Sequence, residues 1–423
     1  MVYDVIVIGG GPAGMMTAGR AGQLGRSVLL LEKNDAPGIK LLMTGKDRCN
    51  VTHYTDDLEE LIDVYDEGKR FLYSSFSRFD NRMVMDFFER GGVKLRVERG
   101  RRVFPVTNRS ADIRKVLLNF LKKNNVVIQT GVEVADLLVK IVKLKKEDRK
   151  VVKGVVLVGG EKIVGKKIVI ATGGLSYPQT GSTGDGYKLA EKVGHSIIPP
   201  RPALTPILLG ESFLSDLEGL SLRNVKISIW QDEKRVAERF GEALFTKRGM
   251  SGPIILDLSK KIGELLEARS NFGKLFLKID FKPALNEAIL DKRLQRDFLK
   301  YGRKQFKNAL GDLLPTKMIP VILERSGINP EKIVSFLTKD ERRRLGFLLK
   351  NFTLTVKDLV GFSKAIITAG GVDWREVDSK TMESRLVKGL CFAGEVLNLD
   401  GPTGGYNLQI AWSTGWAAGS GDF

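Results

Sequence analysis

The chain opens with two short apolar runs separated by a helix-like segment. Residues 3–8 (YDVIVI) and 27–32 (SVLLLE) are too brief for helices, and such runs are typical of buried strands. Residues 12–24 between them have helical character, and Gly25 supplies a helix stop. Strand, helix and strand in succession predict a βαβ unit and therefore an α/β fold.

The pattern changes near residue 196. Before it, helices are predicted at 80–90 and 110–123, where Ser110 is a candidate N-cap, and a strand at 126–130. Four prolines between positions 199 and 206 then mark a boundary. Downstream, the pattern predicts strands and loops over 203–282, charged helices over 284–349, strands over 352–368, and a final helix from about 404 to 418.

Glycine is more frequent than in an average chain, with 46 of 423 residues, whereas a typical share of about 7% would give roughly 30. The excess lies in three clusters, at 9–14, 173–186 and 394–405, and the segment 284–349 has few. Glycine permits left-handed backbone and close approach of a ligand. The clusters therefore indicate loops that face a ligand.

The first cluster reads Gly9-x-Gly11-x-x-Gly14, between the first strand and the first helix. In this motif the glycines serve the tight turn, the close approach of a pyrophosphate, and helix–strand packing. The helix N-terminus offers free N–H groups to phosphates, and Glu32 at the end of the second strand is placed to bind ribose hydroxyls. The motif predicts a dinucleotide cofactor.

The motif alone does not separate FAD from NAD. The glycine clusters return near residues 173 and 394, and an enclosed cofactor contacted by distant parts of the chain favours a tightly held FAD. No second strand–GxGxxG–helix occurs, since Gly181-x-x-Gly184-x-Gly186 has the wrong order. A separate, built-in NAD(P)H domain is therefore not expected, and NAD(P)H is predicted only as a transient electron donor.

With these motifs the chain resembles the two-dinucleotide flavoproteins, and in particular the BaiN/RdsA-type (YhiN-like) family of NAD(P)/FAD-dependent oxidoreductases. The blocks that carry the resemblance are GIKLLMTGKDRCNVTH (38–53), GRRVFPVTNRSADI (100–113), the segments 171–195 and 241–259, and the long block 368–415. Family members are described as bile-acid-pathway reductases and as aminoacetone oxidases, so the resemblance does not fix a substrate.

The resemblance implies a Rossmann-type FAD-binding domain with an inserted β-rich domain and a helical cap. With the boundaries from the pattern, the expected domains are 1–195 and 353–423 for the two parts of the FAD-binding domain, 196–285 for the β-rich insertion and 286–352 for the cap.

The resemblance also implies a set of cofactor-binding residues. They are Gly9, Gly11, Pro12, Ala13, Gly14, Glu32, Lys33, Lys40, Arg48, Asn50, Val134, Ala171, Thr172, Gly173, Gly174, Gly394, Glu395, Gly404, Gly405, Tyr406 and Asn407. The helix that begins at 404–407 is expected to direct its N-terminus at the flavin, where its dipole stabilises the reduced anion.

Three positions depart from the family pattern. Lys46 and Asp47 stand where the family has glycines, and Asn398 replaces the usual aspartate. Because both lysine and aspartate carry a Cβ, we expect a less permissive backbone beside the flavin. These changes weaken any direct transfer of a family member's substrate.

The catalytic residues are not determined by the sequence, and the candidates beside the flavin are Arg48, Cys49, Asn50 and Tyr406. Cys49 has no partner thiol nearby in sequence, so a small buried thiol is the commoner alternative to a redox role.

Five further residues have both a functional and a structural interpretation. His53 is a candidate acid/base group or a packed loop histidine, and Tyr177 could stack on the flavin or serve the core. His195 is expected as a capping or surface residue, and Arg101 and Arg102 either meet substrate anions or form a solvated basic turn. Cys391, in an apolar strand, is expected in the core.

The chain carries 68 Lys and Arg against 50 Asp and Glu, a formal charge of +18. The positive residues are spread along the chain and no basic run interleaves with aromatic residues, so nucleic acid is not expected as a partner.

No segment is long enough to span a membrane. Two cysteines and two histidines exclude a disulfide framework and a metal site, and a reducing, cytoplasmic setting is expected.

The sequence thus predicts an FAD-dependent oxidoreductase that passes hydride from NAD(P)H through FAD to a small conjugated organic substrate. An oxygen-dependent amine or α-aminoketone oxidase that produces peroxide is the alternative. A nucleic-acid-associated flavoprotein is a third reading, and the oligomeric state is not predicted.

Overall fold

The computed structural model describes residues 2–143, 149–268 and 274–421. The chain divides into two compact units. The first comprises Met1–Pro202 and Ala365–Phe423, and the second comprises Ala203–Lys364. No helix within the described ranges is long and apolar enough to cross a membrane.

The strands are numbered along the described chain. They are β1 (Val2–Ile8), β2 (Val28–Glu32), β3 (Thr52–His53), β4 (Leu95–Glu98), β5 (Arg102–Pro105), β6 (Val127–Thr130), β7 (Val134–Val142), β8 (Arg149–Leu157), β9 (Lys162–Ile170), β10 (Ile197–Ala203), β11 (Ile207–Leu209), β12 (Ser221–Gln231), β13 (Lys234–Thr246), β14 (Gly249–Ser251), β15 (Leu275–Asp280), β16 (Phe352–Leu359), β17 (Ile367–Val372), β18 (Val387–Lys388) and β19 (Leu390–Phe392).

The helices are numbered in the same way. They are α1 (Pro12–Gln23), α2 (Ile39–Met43), α3 (Leu58–Ile62), α4 (Lys69–Arg78), α5 (Asn81–Arg90), α6 (Ser110–Lys123), α7 (Asp185–Lys192), α8 (Pro253–Glu267), α9 (Glu287–Lys300), α10 (Ile319–Ser326), α11 (Lys339–Lys350) and α12 (Tyr406–Ser420).

The first unit is built on a sheet with the strand order β18-β8-β9-β1-β2-β6, to which β19 adds beside β9 and β7 beside β8. β1 runs parallel to both β2 and β9, and the three strands are buried over most of their length. Because α1 connects β1 to β2, the predicted βαβ unit is confirmed, and with it the α/β class.

Helices α1 and α12 pack closely in this unit because glycine lines their contact. A Cβ built at Gly415 would lie 2.6 Å from the carbonyl oxygen of Ala13, and one built at Gly419 would lie 2.6 Å from that of Thr17. Ala13 faces Gly415, and Thr17, one turn further along α1, faces Gly419, one turn further along α12. The two helices therefore run in the same direction. α12 begins at Tyr406, so its N-terminus lies roughly 12 Å beyond that of α1 at 1.5 Å per residue.

The second unit is centred on a closed barrel with the order β11-β14-β13-β12-β15-β16. Alternate residues of its strands, such as Ile227, Ile229 and Leu277, are fully buried in one hydrophobic core. β16 joins β15 to β11 and so closes the barrel. The strand therefore belongs to the second unit, although the sequence boundary at 353 groups most of it with the FAD-binding domain.

One segment of the second unit contradicts the prediction of strands and loops over 203–282. Residues 253–267 form helix α8, which begins at Pro253 after Gly252 and buries Ile254, Ile255, Leu258 and Ile262. These apolar residues recur at the spacing of a helix face. The helical pattern is short and lies between strand-like segments, which is why the sequence favoured strands and loops.

Two residues near helix ends differ from their predictions. Ser110 is the first residue of α6 rather than its N-cap, which is Arg109, and the Ser110 hydroxyl instead donates to the carbonyl oxygen of Leu42 at 2.7 Å. His195 is buried, with 3% of its surface exposed, so the expectation of a capping or surface residue is wrong. Its position after α7 does not expose it, because later segments of the chain cover it.

His195 joins α7 to the C-terminal part of the first unit. Its Nδ1 lies 2.9 Å from Glu376 and its Nε2 lies 2.7 Å from the Ser384 hydroxyl. Burial lowers the pKa of His195 below its ordinary value of 6.5, although the Glu376 carboxylate acts in the opposite direction.

This burial predicts a dependence of stability on pH. Below pH 6.5 the unfolded chain takes up a proton that folded His195 resists, so the free energy of unfolding should fall as the pH drops from 7.5 to 5.5. Urea unfolding at the two pH values measures this fall, and His195→Gln should reduce it. An equal fall in both proteins would contradict the assignment.

Candidate functional site

Three glycines border the N-terminus of α1, and two of them, Gly9 and Gly14, leave no room for a side chain. Gly9 has a left-handed φ of 102°, and a Cβ there would lie 2.6 Å from the Ala171 carbonyl oxygen. A Cβ at Gly14 would overlap the carbonyl oxygen of Gly9. Gly11 differs, since a Cβ there would meet no protein atom within 4 Å. The motif therefore forms a tight turn around an open position at Gly11.

Glu32 fixes this turn through its carboxylate, which is buried. Its Oε2 accepts from the Gly10 N–H at 2.7 Å, and its Oε1 accepts from the Asn34 backbone N–H at 2.9 Å and from the Asn34 side-chain amide at 2.7 Å. Gly10 and Asn34 were not among the predicted site residues. The neighbouring Lys33 pairs with Asp185 at 2.6 Å.

The segment after β9 lies against the same turn. Ala171 N–H donates to the Ile8 carbonyl oxygen at 2.9 Å, which carries the sheet pairing up to the turn. Within the described chain, the hydroxyl Oγ1 of Thr172 is buried without a hydrogen-bond partner. A Cβ at Gly174 would overlap the side chain of Thr368, so Gly174 is required by packing. Gly173 has a left-handed φ of 72°.

Lys40 and Glu395, which lie far apart in sequence, form an ion pair with an N–O distance of 2.9 Å. Lys40 also donates to the Ser176 hydroxyl at 2.7 Å, and Ser176 donates to Glu395 at 2.8 Å. The Thr368 N–H donates to Glu395 at 2.9 Å. The structure thus brings Lys40 and Glu395 together, and it adds Ser176 and Thr368, which sequence reasoning missed although both lie in the motif blocks.

The N-terminus of α12 is built like that of α1. Gly404 and Gly405 have φ values of 128° and 103°, and a Cβ at Gly405 would overlap the backbone of Thr52. Asn407 holds the preceding loop, since its side chain accepts from the Gly401 N–H at 2.9 Å and donates to the Gly401 carbonyl oxygen at 2.8 Å.

Two rings, those of His53 and Tyr65, contact Tyr406, the first residue of α12. The rings of His53 and Tyr406 are stacked with centroids 4.5 Å apart, and the Tyr65 hydroxyl donates to the Tyr406 carbonyl oxygen at 2.9 Å. Burial and the charge of Arg101 lower the pKa of His53, while Glu60 and the backbone of Gly404 act in the opposite direction. The lowered pKa disfavours the protonated imidazole, so His53 is suited to act as a base rather than as an acid.

The loop around Arg48 follows a glycine-like path despite its side chains. Gly45, Lys46, Asp47 and Cys49 have φ values between 58° and 63°. The expectation that Lys46 and Asp47 make this backbone less permissive is therefore wrong, because both residues adopt the left-handed conformation at some cost in strain. Asn50 Oδ1 is buried without a hydrogen-bond partner among the described residues.

Arg48 is held by its neighbours in the first unit. Its guanidinium pairs with Glu98 at 3.1 Å and lies over the ring of Phe104, 3.9 Å from the centroid. Glu98 is shared with Arg96, which lies 2.7 Å from the same carboxylate, so Arg48 is held in place by these contacts, and its predicted role beside the flavin competes with a structural one. Arg101 is exposed and pairs with Glu60, and Arg102 donates to the carbonyl oxygen of Arg99 at 3.1 Å.

Both cysteines are fully buried, and burial raises the pKa of each thiol to about 12. Cys391 therefore lies in the core as expected, and Cys49 has the properties of a small buried thiol. Of the other predicted residues, Val134 is buried at the start of β7, and Tyr177 adopts a left-handed φ of 52°.

We expect neither thiol of the folded protein to react with a disulfide reagent at pH 8, because the reactive thiolate is scarce when the pKa is about 12. Release of the chromophoric thiol measures the reaction. Two thiols per chain should react after unfolding in guanidinium. Rapid reaction of one thiol in the folded protein, lost in Cys49→Ser, would restore Cys49 as a redox candidate.

The residues present fit a dinucleotide cofactor. The open position at Gly11 and the N-terminus of α1 can accept a pyrophosphate. Thr172 Oγ1 and Asn50 Oδ1 are buried polar atoms of the kind that a bound ligand satisfies. Within the described ranges, no cluster of three or more His, Cys, Asp or Glu residues could hold a metal ion.

A Rossmann sheet with this glycine turn defines a dinucleotide-binding protein, and among such proteins the chain is similar to FAD-dependent oxidoreductases. The chain belongs to the HI0933-like Rossmann family, which it matches over residues 3–421. This membership agrees with the resemblance to the BaiN/RdsA-type proteins drawn from the sequence motifs.

Two curated relatives cover nearly the whole chain. One is the ribosomal RNA dihydrouridine synthase of Escherichia coli, which is 32% identical over 98% of this chain and 96% of its own length. The other is the 3-dehydro-bile acid delta(4,6)-reductase of Clostridium scindens, which is 30% identical over 98% of this chain and 97% of its own. Because the first acts on RNA, the expectation of no nucleic-acid partner is not confirmed.

Solved flavoenzymes share the fold. The 3-ketosteroid delta1-dehydrogenase of Sterolibacterium denitrificans has a TM-score of 0.52 at 14% identity, covering 99% of this chain and 98% of its own. A flavocytochrome c3 fumarate reductase has a TM-score of 0.50 at 16% identity, covering 99% of this chain and 77% of its own. At these identities the likeness concerns the fold alone.

Proposed function

We propose that this enzyme reduces a carbon–carbon double bond conjugated to a carbonyl group, with NAD(P)H as the electron donor. The observation that carries the cofactor part of the proposal is the pair of helix N-termini, α1 and α12, that point in the same direction with an offset of roughly 12 Å along the helix axis. Each is preceded by glycines, and neither N-cap residue makes a side-chain hydrogen bond to its helix.

The two N-termini suit the two ends of a flavin nucleotide that require negative charge. The N-terminus of α1 would hold the pyrophosphate, and that of α12 would lie beside the isoalloxazine. FAD, when bound, would supply the hydride chemistry. The dipole of α12 would favour negative charge on the ring.

The other residues of the site hold the surrounding loops in place or transfer protons. The Lys40–Glu395 pair and its Ser176 and Thr368 partners fix the loops around the cofactor. Saturation of a double bond needs a proton as well as a hydride. We assign the donation of this proton to the Tyr406 phenol, and His53, which is stacked on Tyr406, is suited to accept a proton, because both lie at the N-terminus of α12.

The substrate class is supported by what the two relatives' names have in common. A dihydrouridine differs from uridine by saturation of a double bond conjugated to a carbonyl, and a delta(4,6)-reductase saturates double bonds of a dehydro-bile acid. The chemistry is shared although the molecules differ. A uridine in RNA is the second candidate substrate, and the formal charge of +18 is compatible with a polyanion.

The test is an anaerobic titration of the purified holoprotein. NADH or NADPH should bleach the visible absorbance of the flavin, and a conjugated enone or an unmodified ribosomal RNA fragment should then restore it. Restoration by RNA alone would select the second candidate. Failure of NAD(P)H to bleach the flavin, together with peroxide production from amines in air, would instead establish the oxidase alternative.

A further inference from the structure

The outer surface of the barrel in the second unit carries aromatic and basic side chains. Along each strand they alternate with the buried residues of the core. In β12, Val225, Ile227 and Ile229 are buried, whereas Lys226 and Trp230 at the alternate positions are only half-buried. Because successive residues of a strand point to opposite faces, these two side chains lie on the outside of the barrel.

The neighbouring strands extend this surface. In the β-sheet register, Trp230 pairs with Phe276 of β15, and Lys226 pairs with Phe240 of β13. Phe240 is 62% exposed, and neither Trp230 nor Phe276 packs against the barrel core. Three aromatic rings therefore lie on three adjacent strands, and we call them, with Lys226, Arg235 and Lys278, the aromatic–basic face.

Lys278 links the charges of this face to its rings. Its ammonium lies over the ring of Trp230, 3.7 Å from the centroid, and the Trp230 indole N–H donates to the Ser228 hydroxyl at 2.8 Å. Arg235 pairs with Glu238 at 2.7 Å, and Lys226 lies 3.7 Å from the same carboxylate. Two cations, Arg235 and Lys226, thus share one carboxylate, and with Lys278 the three cations of the face outnumber it, which leaves the face net positive.

We propose that the aromatic–basic face binds a single-stranded segment of RNA. Bases stack on exposed aromatic rings regardless of sequence, and cations beside them neutralise the phosphates. Antiparallel barrels bind single strands through such an outer face elsewhere. The flexible Lys278 side chain can exchange the Trp230 ring for a phosphate, which frees the ring for a base.

The inference rests on the second candidate substrate of the proposed function, in which RNA is reduced. Basic and aromatic residues do not interleave along the sequence, and for that reason no nucleic-acid partner was expected. The register of β13, β12 and β15 nevertheless brings them together in space. The mixture of charge and aromatic rings favours RNA over a lipid surface, which binds a broad apolar face.

The experiment measures binding of a fluorescein-labelled oligouridine to the holoprotein by anisotropy at several salt concentrations. Lys278→Glu and Trp230→Ala should each weaken binding about tenfold or more, and Lys278→Glu should also reduce the slope of affinity against salt. Lys339→Glu, an exposed charge on α11, is the matched control and should have a small effect.

A second readout separates stacking from folding. Oligouridine should quench tryptophan fluorescence of the native protein, and Trp230→Phe should remove the quench while it retains most of the affinity, since phenylalanine also stacks. Equal affinity of Lys278→Glu, Trp230→Ala and the native protein for oligouridine would overturn the proposal. So would binding of anionic lipid vesicles in place of RNA.

The flavin readout keeps the two proposals distinguishable. If the variants bind FAD and are bleached by NAD(P)H as the native protein is, a loss of RNA binding concerns the barrel face alone. If NAD(P)H fails to bleach any of them while oligouridine still binds at the face, the proposed reductase activity fails and the RNA-binding face stands.

Discussion

Replacement of Gly14 by alanine should destabilise the first unit by about 3 kcal/mol or more, at or above the upper end of overpacking costs. The new Cβ would overlap the carbonyl oxygen of Gly9 and would lie 3.4 Å from the Ala171 side chain. Both groups belong to the turn and the strand that hold α1 in place, so neither can yield without loss of sheet pairing. Urea unfolding of the FAD-free protein measures the loss.

Gly11→Ala is the matched comparison, because it adds the same methyl group three residues earlier. Gly11 has a φ of −74°, which alanine adopts freely, and its Cβ would meet no protein atom. The FAD-free variant should therefore be as stable as the native protein. Its binding free energy for FAD should weaken by about 1–3 kcal/mol, a loss of affinity of roughly fivefold to 150-fold, because the methyl group occupies the place of the pyrophosphate.

The pair of variants separates the two roles of the motif. If Gly11→Ala binds FAD as tightly as the native protein, the cofactor does not approach the turn as we infer. If Gly14→Ala is as stable as Gly11→Ala, the close helix–strand packing does not require glycine. Either result would contradict the account of the turn.

Replacement of Gly405 by alanine is the second change with a large expected effect. Alanine would be strained at a φ of 103°, and its Cβ would overlap the backbone of Thr52. Strain of about 1–3 kcal/mol adds to overpacking of similar size. We expect the N-terminus of α12 to shift, with weaker FAD binding and a lower free energy of unfolding.

The control for this change is Gly311→Ala in the second unit. A Cβ there would meet no atom within 4 Å, and the residue is exposed, so its effect on stability and on FAD content should be small. Fluorescence of FAD released by denaturation measures the cofactor content of each variant. Equal FAD content in Gly405→Ala and Gly311→Ala would contradict the role of the α12 N-terminus.

Sequence reasoning succeeded where local chemistry determines the conformation. Gly9 and Gly14 of the turn need glycine for steric reasons, and the short apolar runs on either side are typical of buried strands. Lys40 and Glu395 are both among the predicted cofactor-binding residues, but their mutual ion pair appears only when the chain folds.

Other features depend on contacts that the sequence does not display. His195 is buried because Glu376 and Ser384, far along the chain, bind both of its ring nitrogens. Lys46 and Asp47 adopt left-handed backbone against their own preference, since packing of the surrounding loop can outweigh about 1–2 kcal/mol of strain per residue. The register of the barrel strands, which gathers the aromatic–basic face, is also a property of the fold.

The ratio of FAD to polypeptide in the purified protein tests most directly whether the first unit binds FAD. We expect a yellow protein with one FAD per chain, released on denaturation and identified by its fluorescence and mass. A colourless protein that takes up no FAD when the cofactor is added in excess would contradict FAD binding.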